Sequence, residues 1–541
     1  MDRLLTFWGI GNVCETCLKW NKDVIPELFI DEKTKLTEFH GKRVVRSSNI
    51  KNWKEIFVVI TVMNDNEIKR NLKNKGLVEE LDFISYRDFF SSDIKVCESI
   101  ERISKWIEQN ETYRKATFIY APMFICRQST TMSYFFKSYI EGRKPKKSII
   151  FSELDIMSEQ KASEFMDAPI ITTPRLCIYD SPRIDEKVEY DYYKNEQIEL
   201  SKEEKEWIVQ LESWKTSIDT KITLRLTEVL YQYIRDMFKL LEPNRVIIWG
   251  GWSRISHILA KIAENMGIPY GFMEYGWLPG TYQFDYYGIA GQNKHRLEKK
   301  DIPNNDDYSE IEQIKNYIKD RKIDTGHFNF SEFDEKQLSK INTHRKTVFF
   351  VGMGEDGMQI NPCSIFWRKY VSNIVYSTHE AVEIVYNICK KNNWNFIFKP
   401  HPREDNFEGY NEWAKDKEFI LVREMEIDRL IEISDVVVSI SSAVEYKALI
   451  YEKALVQVGH GALEGLDCSY IPKSRSDIET TIRQAVNYGE TDRQKKAFNQ
   501  HLFNLLGTHL WSDLSQNDLS YGLSVKDDFF DKIEKIGEDE G

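Results

Sequence analysis

Short apolar runs alternate with longer amphipathic stretches in the C-terminal half of the chain. The runs that predict buried strands cover residues 347–351, 395–399, 419–422, 435–439 and 454–458. Between them, apolar residues recur at helical spacing, as in residues 377–391. Strands that alternate with helices in this way build a parallel sheet with helices on both faces, so the block predicts a doubly wound α/β domain.

The same alternation appears twice earlier in the chain. Strands are predicted first at Leu4–Trp8, 27–31 and 56–62, and then at Thr117–Tyr120, 148–151, Arg245–Trp249 and 269–273. A charged stretch over 297–346 predicts a connection with one or two helices. The pattern therefore predicts an α/β fold of three Rossmann-like units and a helical tail. Their expected bounds are 1–100, 115–296, 345–510 and 511–541.

Two strand ends in the third unit carry candidate binding residues. One strand ends in a Lys-Pro-His-Pro run, and the other ends in a serine-rich run before a predicted helix. The candidates are Lys399, His401, Pro402, Ser439, Ser441, Ser442 and Glu445. Ligands of open α/β sheets bind at the carboxyl ends of strands, and a helix N-terminus favours anions, so the pattern predicts a nucleotide-phosphate site. Taken singly, each run is typical of a turn or an N-cap.

An acid at the end of the 269–273 strand is the candidate general base of the second unit. Glu274 precedes Tyr275 and Gly276, and burial beside aromatic rings would raise its pKa toward neutrality. The alternative is a carboxylate that holds the amides of a tight loop. Gly276 and Asp285 are candidates for acceptor contact or loop structure.

Two adjacent acids, Glu355 and Asp356, follow the first strand of the third unit. They would repel a nucleotide diphosphate, so they too predict acceptor contact or loop structure.

The N-terminal unit has part of a dinucleotide-binding fingerprint. Gly9 and Gly11 follow its first strand, and Asp31 ends its second, but the third glycine is missing. The pattern favours a scaffolding or docking module, with nucleotide binding as the alternative.

Composition restricts the function classes. A net charge of -12 and a pI near 5.6 argue against nucleic-acid binding. The chain has eight cysteines without a paired spacing pattern, so we expect reduced thiols. Cys14 and Cys17 form a lone CxxC without zinc spacing elsewhere, which predicts buried helix cysteines and no metal site, with a thioredoxin-like redox role as the alternative. We also expect no cofactor. No apolar stretch approaches the roughly 18 residues of a membrane span, and Met1 to Ile10 predicts a strand rather than a signal peptide. We expect a cytoplasmic protein, with peripheral attachment to the inner face of the cell membrane left open.

Three motifs together resemble bacterial capsule polysaccharide synthesis transferases. They are Glu274-Tyr275-Gly276, His401-Pro402 and the run from Ser439 to Glu445, within residues 245–490. The family includes Kdo transferases and, more distantly, polysialyltransferases and teichoic-acid polymerases.

The resemblance implies the GT-B plan of two facing Rossmann-like domains, with the donor held by the C-terminal one. It implies that His401 contacts the donor nucleotide, that Ser441 and Ser442 bind phosphate, and that Glu445 binds ribose hydroxyls. Glu274 is the implied base, since Tyr275 stands where the family has a second acid.

The predicted function is transfer of a sugar from a nucleotide-activated donor, with a CMP-sugar favoured, to a growing surface or capsular glycan or a glycolipid. Two alternatives stay open. One is a CDP-polyol phosphotransferase of teichoic-acid type, although the acidic chain lacks the extra basic surface expected for a polyanionic acceptor. The other is a non-catalytic sugar-nucleotide-binding scaffold of a polysaccharide assembly complex.

Overall fold

A computed structural model gives the fold of the chain. The residues that it describes are 3–62, 65–90, 96–121, 131–142, 147–152, 159–172, 198–213, 220–251, 253–279, 281–286, 288–289, 308–321, 332–355, 361–362, 364–401, 408–508 and 510–512. The chain divides into two compact units. The first consists of Met1–Lys194 and Tyr233–Val246, and the second of Asn195–Gln232 and Ile247–Gly541.

A six-stranded sheet forms the N-terminal part of the first unit. Its strands are β1 (Leu4–Trp8), β2 (Leu28–Ile30), β3 (Glu38–Phe39), β4 (Lys42–Val45), β5 (Ile56–Ile60) and β6 (Phe83–Ser85). They lie in the order β3-β4-β2-β1-β5-β6, and β1 pairs in parallel with both β2 and β5. The helices of this part are α1 (Asn12–Trp20), α2 (Asn66–Asn74) and α3 (Tyr86–Phe90). The strands predicted in this region are confirmed.

The rest of the first unit contains three parallel strands, β7 (Thr117–Tyr120), β8 (Ser148–Ser152) and β9 (Ile170–Thr172). Its helices are α4 (Val96–Gln109), α5 (Thr131–Gly142) and α6 (Glu159–Met166). Where one helix is predicted over 207–241, the described residues form α7 (Lys202–Ser213), which belongs to the second unit, and α8 (Thr220–Leu241), which continues from the second unit into the first.

The second unit begins its sheet at β10 (Arg245–Trp249), inside which the boundary between the units falls. Helix α9 (Arg254–Asn265) leads to β11 (Tyr270–Tyr275), which pairs antiparallel with β12 (Thr281–Asp285). The sequence predicts a strand that ends before Glu274, whereas β11 includes it. This hairpin, which the sequence pattern does not predict, sets the position of the candidate base.

A five-stranded parallel sheet forms the other part of the second unit. Its strands are β13 (Thr347–Val351), β14 (Asn395–Lys399), β15 (Phe419–Leu421), β16 (Val436–Ser439) and β17 (Ala454–Gln457). Their order is β15-β14-β13-β16-β17, so the order reverses between β13 and β16. The five predicted strands and the α/β fold class are confirmed. Ligands of open α/β sheets bind beside such a reversal, at the carboxyl ends of the strands.

Helices of the second unit cover this sheet. They are α10 (Ser309–Arg321), α11 (Glu332–Leu338), α12 (Thr378–Lys391), α13 (Glu408–Trp413), α14 (Ile427–Glu432), α15 (Val444–Ile450), α16 (Ile478–Tyr488) and α17 (Asp492–Thr508). The described residues of the charged connection form two helices, and Ile311 and Ile314 of α10 are buried in the same hydrophobic core as Phe349. After α17, β18 (Leu510–Ser512) pairs with β12. The predicted tail lies outside the described residues from 513 onward.

Gly9 and Gly11 provide a matched test of the N-terminal turn. Gly9 has φ +103°, and a Cβ there would lie 2.3 Å from Cγ1 of Val62, whereas nothing lies within 4 Å of a Cβ at Gly11. We expect Gly9→Ala to lower the free energy of unfolding by roughly 1–3 kcal/mol, because the strained backbone and the clash add. Gly11→Ala should change it far less. Urea denaturation checks this, and equal midpoints for the two variants would contradict it.

Candidate functional site

The turn after β14 lies against the loop after β13. A Cβ at Gly352 would lie 2.8 Å from Cα of Pro400, and a Cβ at Gly354 would lie 2.6 Å from Nδ1 of His401. Such distances are shorter than side chains tolerate. The two glycines therefore let the His401 imidazole lie directly beside the loop of the central strand.

The serine run follows β16, the neighbour of β13 on its other side. Ser439 is fully buried, whereas Ser441 and Ser442 are half-buried. The Ser442 hydroxyl accepts a hydrogen bond from the Val444 amide at 3.2 Å, and Glu445 N–H donates to Ser442 O at 3.1 Å. Several amides at the start of α15 are thus bonded within the chain. The hydroxyls of Ser441 and Ser442 are the partly accessible hydroxyls of this run.

Glu445 is a buried acid beneath the serine run. Its Oε1 accepts from Ser442 N–H at 3.2 Å, and its Oε2 accepts from Nε2 of Gln457 at 2.7 Å. Gln457 in turn accepts from the Ser469 hydroxyl. Burial raises the pKa of Glu445 to about 8, although Ser439, Ser442 and Gln457 act in the opposite direction. Glu445 is 2% exposed, so its contacts hold the serine run from the buried side of the loop.

Lys399 ends β14 and is buried on the side of β15. Its Nζ donates to the carbonyl oxygen of Arg423 at 2.6 Å. Burial lowers its pKa to about 8, while Asp334 and Glu424 raise it. Asp334, itself fully buried, accepts from the amides of Arg423, Glu424 and Met425. The lysine therefore contacts the 423–425 loop, and the structure does not bring its Nζ into contact with His401 or the serines.

Glu274 is the next-to-last residue of β11 and is half-buried. Its Oε1 accepts from the Tyr275 amide at 3.0 Å, and its Oε2 lies 3.8 Å from where a Cβ of Gly250 would be. Gly250 follows β10 with φ +67°, and its amide donates to Met273 O. The carboxylate therefore lies at the carboxyl end of β10, the position of a ligand-facing group in an α/β sheet.

Aromatic rings surround this strand end. The Trp249 and Tyr275 rings meet edge to face with centroids 5.1 Å apart, and the Tyr275 and Tyr282 centroids are 5.7 Å apart. Tyr275 is exposed, so the residue that stands in place of a second acid forms part of the surface beside Glu274.

Three further candidates make contacts that stabilise nearby turns or a helix start. A Cβ at Gly276 would lie 2.1 Å from Oγ1 of Thr281, so the glycine is needed for the hairpin turn. Asp285 is buried, and its Oδ1 accepts from Gly288 N–H at 3.3 Å. Glu355 accepts from the Thr378 amide at the start of α12. Pro402 and Asp356 lie outside the described residues.

The N-terminal candidates also have local contacts. Asp31 accepts from the amides of Ile10, Lys33 and Thr34, so its carboxylate holds the loops around it. Gly11 caps α1 without a side-chain hydrogen bond. Cys14 and Cys17 are buried on α1, and burial raises the pKa of the Cys14 thiol to about 12.

The sequence pattern gives no role to Tyr446 and His501. Tyr446 of α15 contacts the turn after β11, and His501 of α17 contacts Tyr446. The Trp277 ring stacks on the Tyr446 ring, and the Tyr446 hydroxyl lies 2.8 Å from Nε2 of His501. Neither residue follows a strand end, so the reasoning that found the other candidates does not reach them.

Within the described part of the chain, no group of three or more His, Cys, Asp or Glu side chains is arranged to hold a metal ion. A search of the same residues finds no helix with the length and hydropathy of a membrane span.

No protein-family model and no curated protein matches the sequence. Among solved structures, a Thermosulfurimonas dismutans KpsC beta Kdo 2,4 transferase matches with 14% identity and a TM-score of 0.34, over 48% of this chain and 79% of the other. A Methanocaldococcus jannaschii UDP-GlcNAc 2-epimerase in complex with UDP-GlcNAc and UDP matches with 11% identity and a TM-score of 0.33, over 72% of this chain and 99% of the other. An E. coli trehalose-6-phosphate structure bound with UDP-2-fluoro glucose matches with 8% identity and a TM-score of 0.36, over 72% of this chain and 96% of the other. TM-scores of this size assign neither a family nor a function to this chain.

The buried acid predicts a pH dependence of stability. The folded-state pKa of Glu445 is raised to about 8, above the ordinary value of 4.5, so between these values the unfolded state loses a proton that the folded state keeps. The free energy of unfolding should fall as pH rises through this window, by up to about 1.4 kcal/mol per pH unit. Above about pH 8 this contribution has been lost.

Glu445→Gln lacks this titration. The free energy of unfolding of the variant minus that of wild type should therefore become more positive from pH 5 to pH 8. Urea denaturation at several pH values measures the trend. Glu479→Gln is the control, since Lys391 holds the pKa of that exposed carboxyl below its ordinary value. Parallel curves for wild type and Glu445→Gln would rule out a raised pKa at Glu445.

Proposed function

We propose that the protein is a glycosyltransferase of GT-B type that moves a sugar from a nucleotide-activated donor, with a CMP-sugar favoured. The acceptor is a growing surface or capsular glycan or a glycolipid. In this proposal residues 345–510 form the donor domain and residues 115–296 contain the acceptor side.

The proposal rests on the shared register of β14, β13 and β16, whose loops follow the three strands at one edge of the five-stranded sheet. The His401 turn lies against Gly352 and Gly354 after β13, and β16, which pairs with β13 on its other side, ends at the serine run. An imidazole and two half-buried hydroxyls beside a strand-order reversal suit a nucleotide phosphate.

The chemical step is a single displacement. Glu274 removes the proton from an acceptor hydroxyl, whose oxygen bonds to the anomeric carbon as the bond from that carbon to the nucleotide phosphate breaks. The leaving nucleotide keeps the electron pair of the broken bond. His401, Ser441 and Ser442 stabilise its developing charge, which is where fixed polar groups lower a barrier most.

The buried groups support the reacting ones. Glu445 holds the Ser442 amide, and Lys399 holds the 423–425 loop next to the His401 turn. In the proposal these two residues therefore act through the loops they position, although the sequence predicts Lys399 as a donor-binding residue and the resemblance implies that Glu445 binds the donor ribose.

Two other functions remain as alternatives with distinct outcomes. A CDP-polyol phosphotransferase would release CMP from CDP-glycerol or CDP-ribitol and not from CMP-sugars. A scaffold protein would bind a nucleotide and transfer nothing. The half-buried carboxylate of Glu274, which lies beside the carboxyl end of β10, favours the glycosyltransferase over the scaffold. A strand-end acid beside aromatic rings is suited to proton removal.

Glu274→Gln tests the proposed base. The amide cannot accept the proton, so transfer should fall by about 10²-fold or more, a usual contribution of general base catalysis. The assay measures nucleotide release by the full chain with CMP-sugars, UDP-sugars and CDP-polyols. Glu264→Gln is the matched control, since it removes an exposed carboxylate of α9 that pairs with Lys261, and it should leave transfer unchanged.

Full activity in Glu274→Gln would disprove the assigned base. Nucleotide binding by wild type without transfer from any donor would favour the scaffold.

A further inference from the structure

The turn between β11 and β12 packs against the helix that follows the serine run. The rings of Trp277 and Tyr446 are stacked, with centroids 5.6 Å apart and planes 9° apart. Tyr446 is 1% exposed and directly follows Glu445. Stacked aromatic rings bury a large apolar area in a defined geometry, so this contact fixes the hairpin turn against α15.

Tyr446 is itself held in place. Its hydroxyl lies 2.8 Å from Nε2 of His501, and its ring centroid lies 6.0 Å from that of Phe498, both on α17. The indole of Trp277 therefore rests on a ring that cannot turn away without breaking contacts in the core.

The same hairpin has a second attachment to the C-terminal segment. Strand β18 follows α17 and pairs with β12, with Thr281 opposite Ser512 and Gln283 opposite Leu510. A Cβ at Gly276 would lie 2.9 Å from Cδ2 of Leu510, so the turn approaches this strand closely. The strand pairing holds β12, and the Trp277 stack joins the turn directly to α15, beside Leu278, which is buried in the same hydrophobic core as Tyr446.

We propose that Trp277 is a positioning residue that fixes Glu274 relative to Ser441 and Ser442. Only Tyr275 and Gly276 separate Glu274 from the stacked indole, and Glu445 and Ala443 lie on the helix start that Tyr446 continues. The inference rests on the proposed function, because it assigns Glu274 and the serines to one reaction.

This role predicts a particular pattern of kinetic change. Loss of the stack lets the turn shift relative to α15, while β13, β14 and β16 keep their pairing. A displacement of about 1 Å between reacting groups can cost roughly 10²-fold in rate, even when the change lies away from the chemistry. The value of kcat should therefore fall while the binding of nucleotide does not change.

The experiment compares Trp277→Leu, Trp277→Phe and Trp53→Leu in the full chain. Leucine keeps apolar volume without an aromatic face, and phenylalanine keeps a ring that can stack. Trp53 is the matched control, because its ring stacks on Trp8 at 5.7 Å in the N-terminal part of the first unit. The measurements are kcat, the KM for donor, the Kd for CMP and UDP, and amide hydrogen exchange.

We expect Trp277→Leu to lower kcat by roughly tenfold to a hundredfold with the KM for donor and the nucleotide Kd within a factor of about two of wild type. Trp277→Phe should recover most of kcat, and Trp53→Leu should match wild type. Wild-type kcat in Trp277→Leu, or a loss of nucleotide binding as large as the loss of kcat, would overturn the positioning role.

Amide exchange separates failure of this inference from failure of the proposed function. If wild type transfers no sugar, the proposed function fails, and the positioning role is then decided by exchange alone. Trp277→Leu should exchange faster in β11 and at the start of α15 but not in β14, a local change that Trp53→Leu does not produce. Unchanged exchange in β11 would overturn the inference.

Discussion

The parallel pairing of β13 with two strands at once is the constraint on which the candidate site depends. Val351 lies opposite Lys399 on β14 and opposite Ser439 on β16, so the three strands end at one level. This register sets the His401 turn and the serine run on either side of the loop after β13. A shift of one residue would reverse the faces of a whole strand, which the buried cores on both faces prevent.

Buried polar groups then hold the loops that the register brings together. Glu445, Lys399 and Asp334 are each less than 9% exposed, and each has a hydrogen bond with a loop at the carboxyl edge of the sheet. Removing such a group leaves its buried partners without hydrogen bonds, a cost of about 1–3 kcal/mol each. We infer that these buried ionisable residues act by keeping the loops in one conformation, and that the exposed or half-buried groups contact ligand.

The sequence predicts the five-stranded sheet well because its strands are short apolar runs that are buried on both faces and are separated by clear helices. It predicts less of the region around Glu274, since the strand pairs of the β11–β12 hairpin and of β12 with β18 depend on tertiary packing, and β18 lies far from β12 in the chain. Residue types at strand ends reveal His401 and the serines as candidates. They do not reveal that Lys399 is turned toward Arg423, because the direction of a side chain depends on its neighbours in space.

The most direct measurement of the central claim is nucleotide binding by wild type, His401→Ala and His344→Ala. His344 is an exposed histidine just before the amino end of β13, so its substitution is a matched control. Thermal unfolding is followed with common nucleoside mono- and diphosphates, since a ligand at a hundred times its Kd stabilises the folded state by about 2.7 kcal/mol. We expect at least one nucleotide to raise the Tm of wild type and His344→Ala and to have little effect on His401→Ala. An equal rise in all three proteins, or no rise in wild type with any nucleotide, would contradict it.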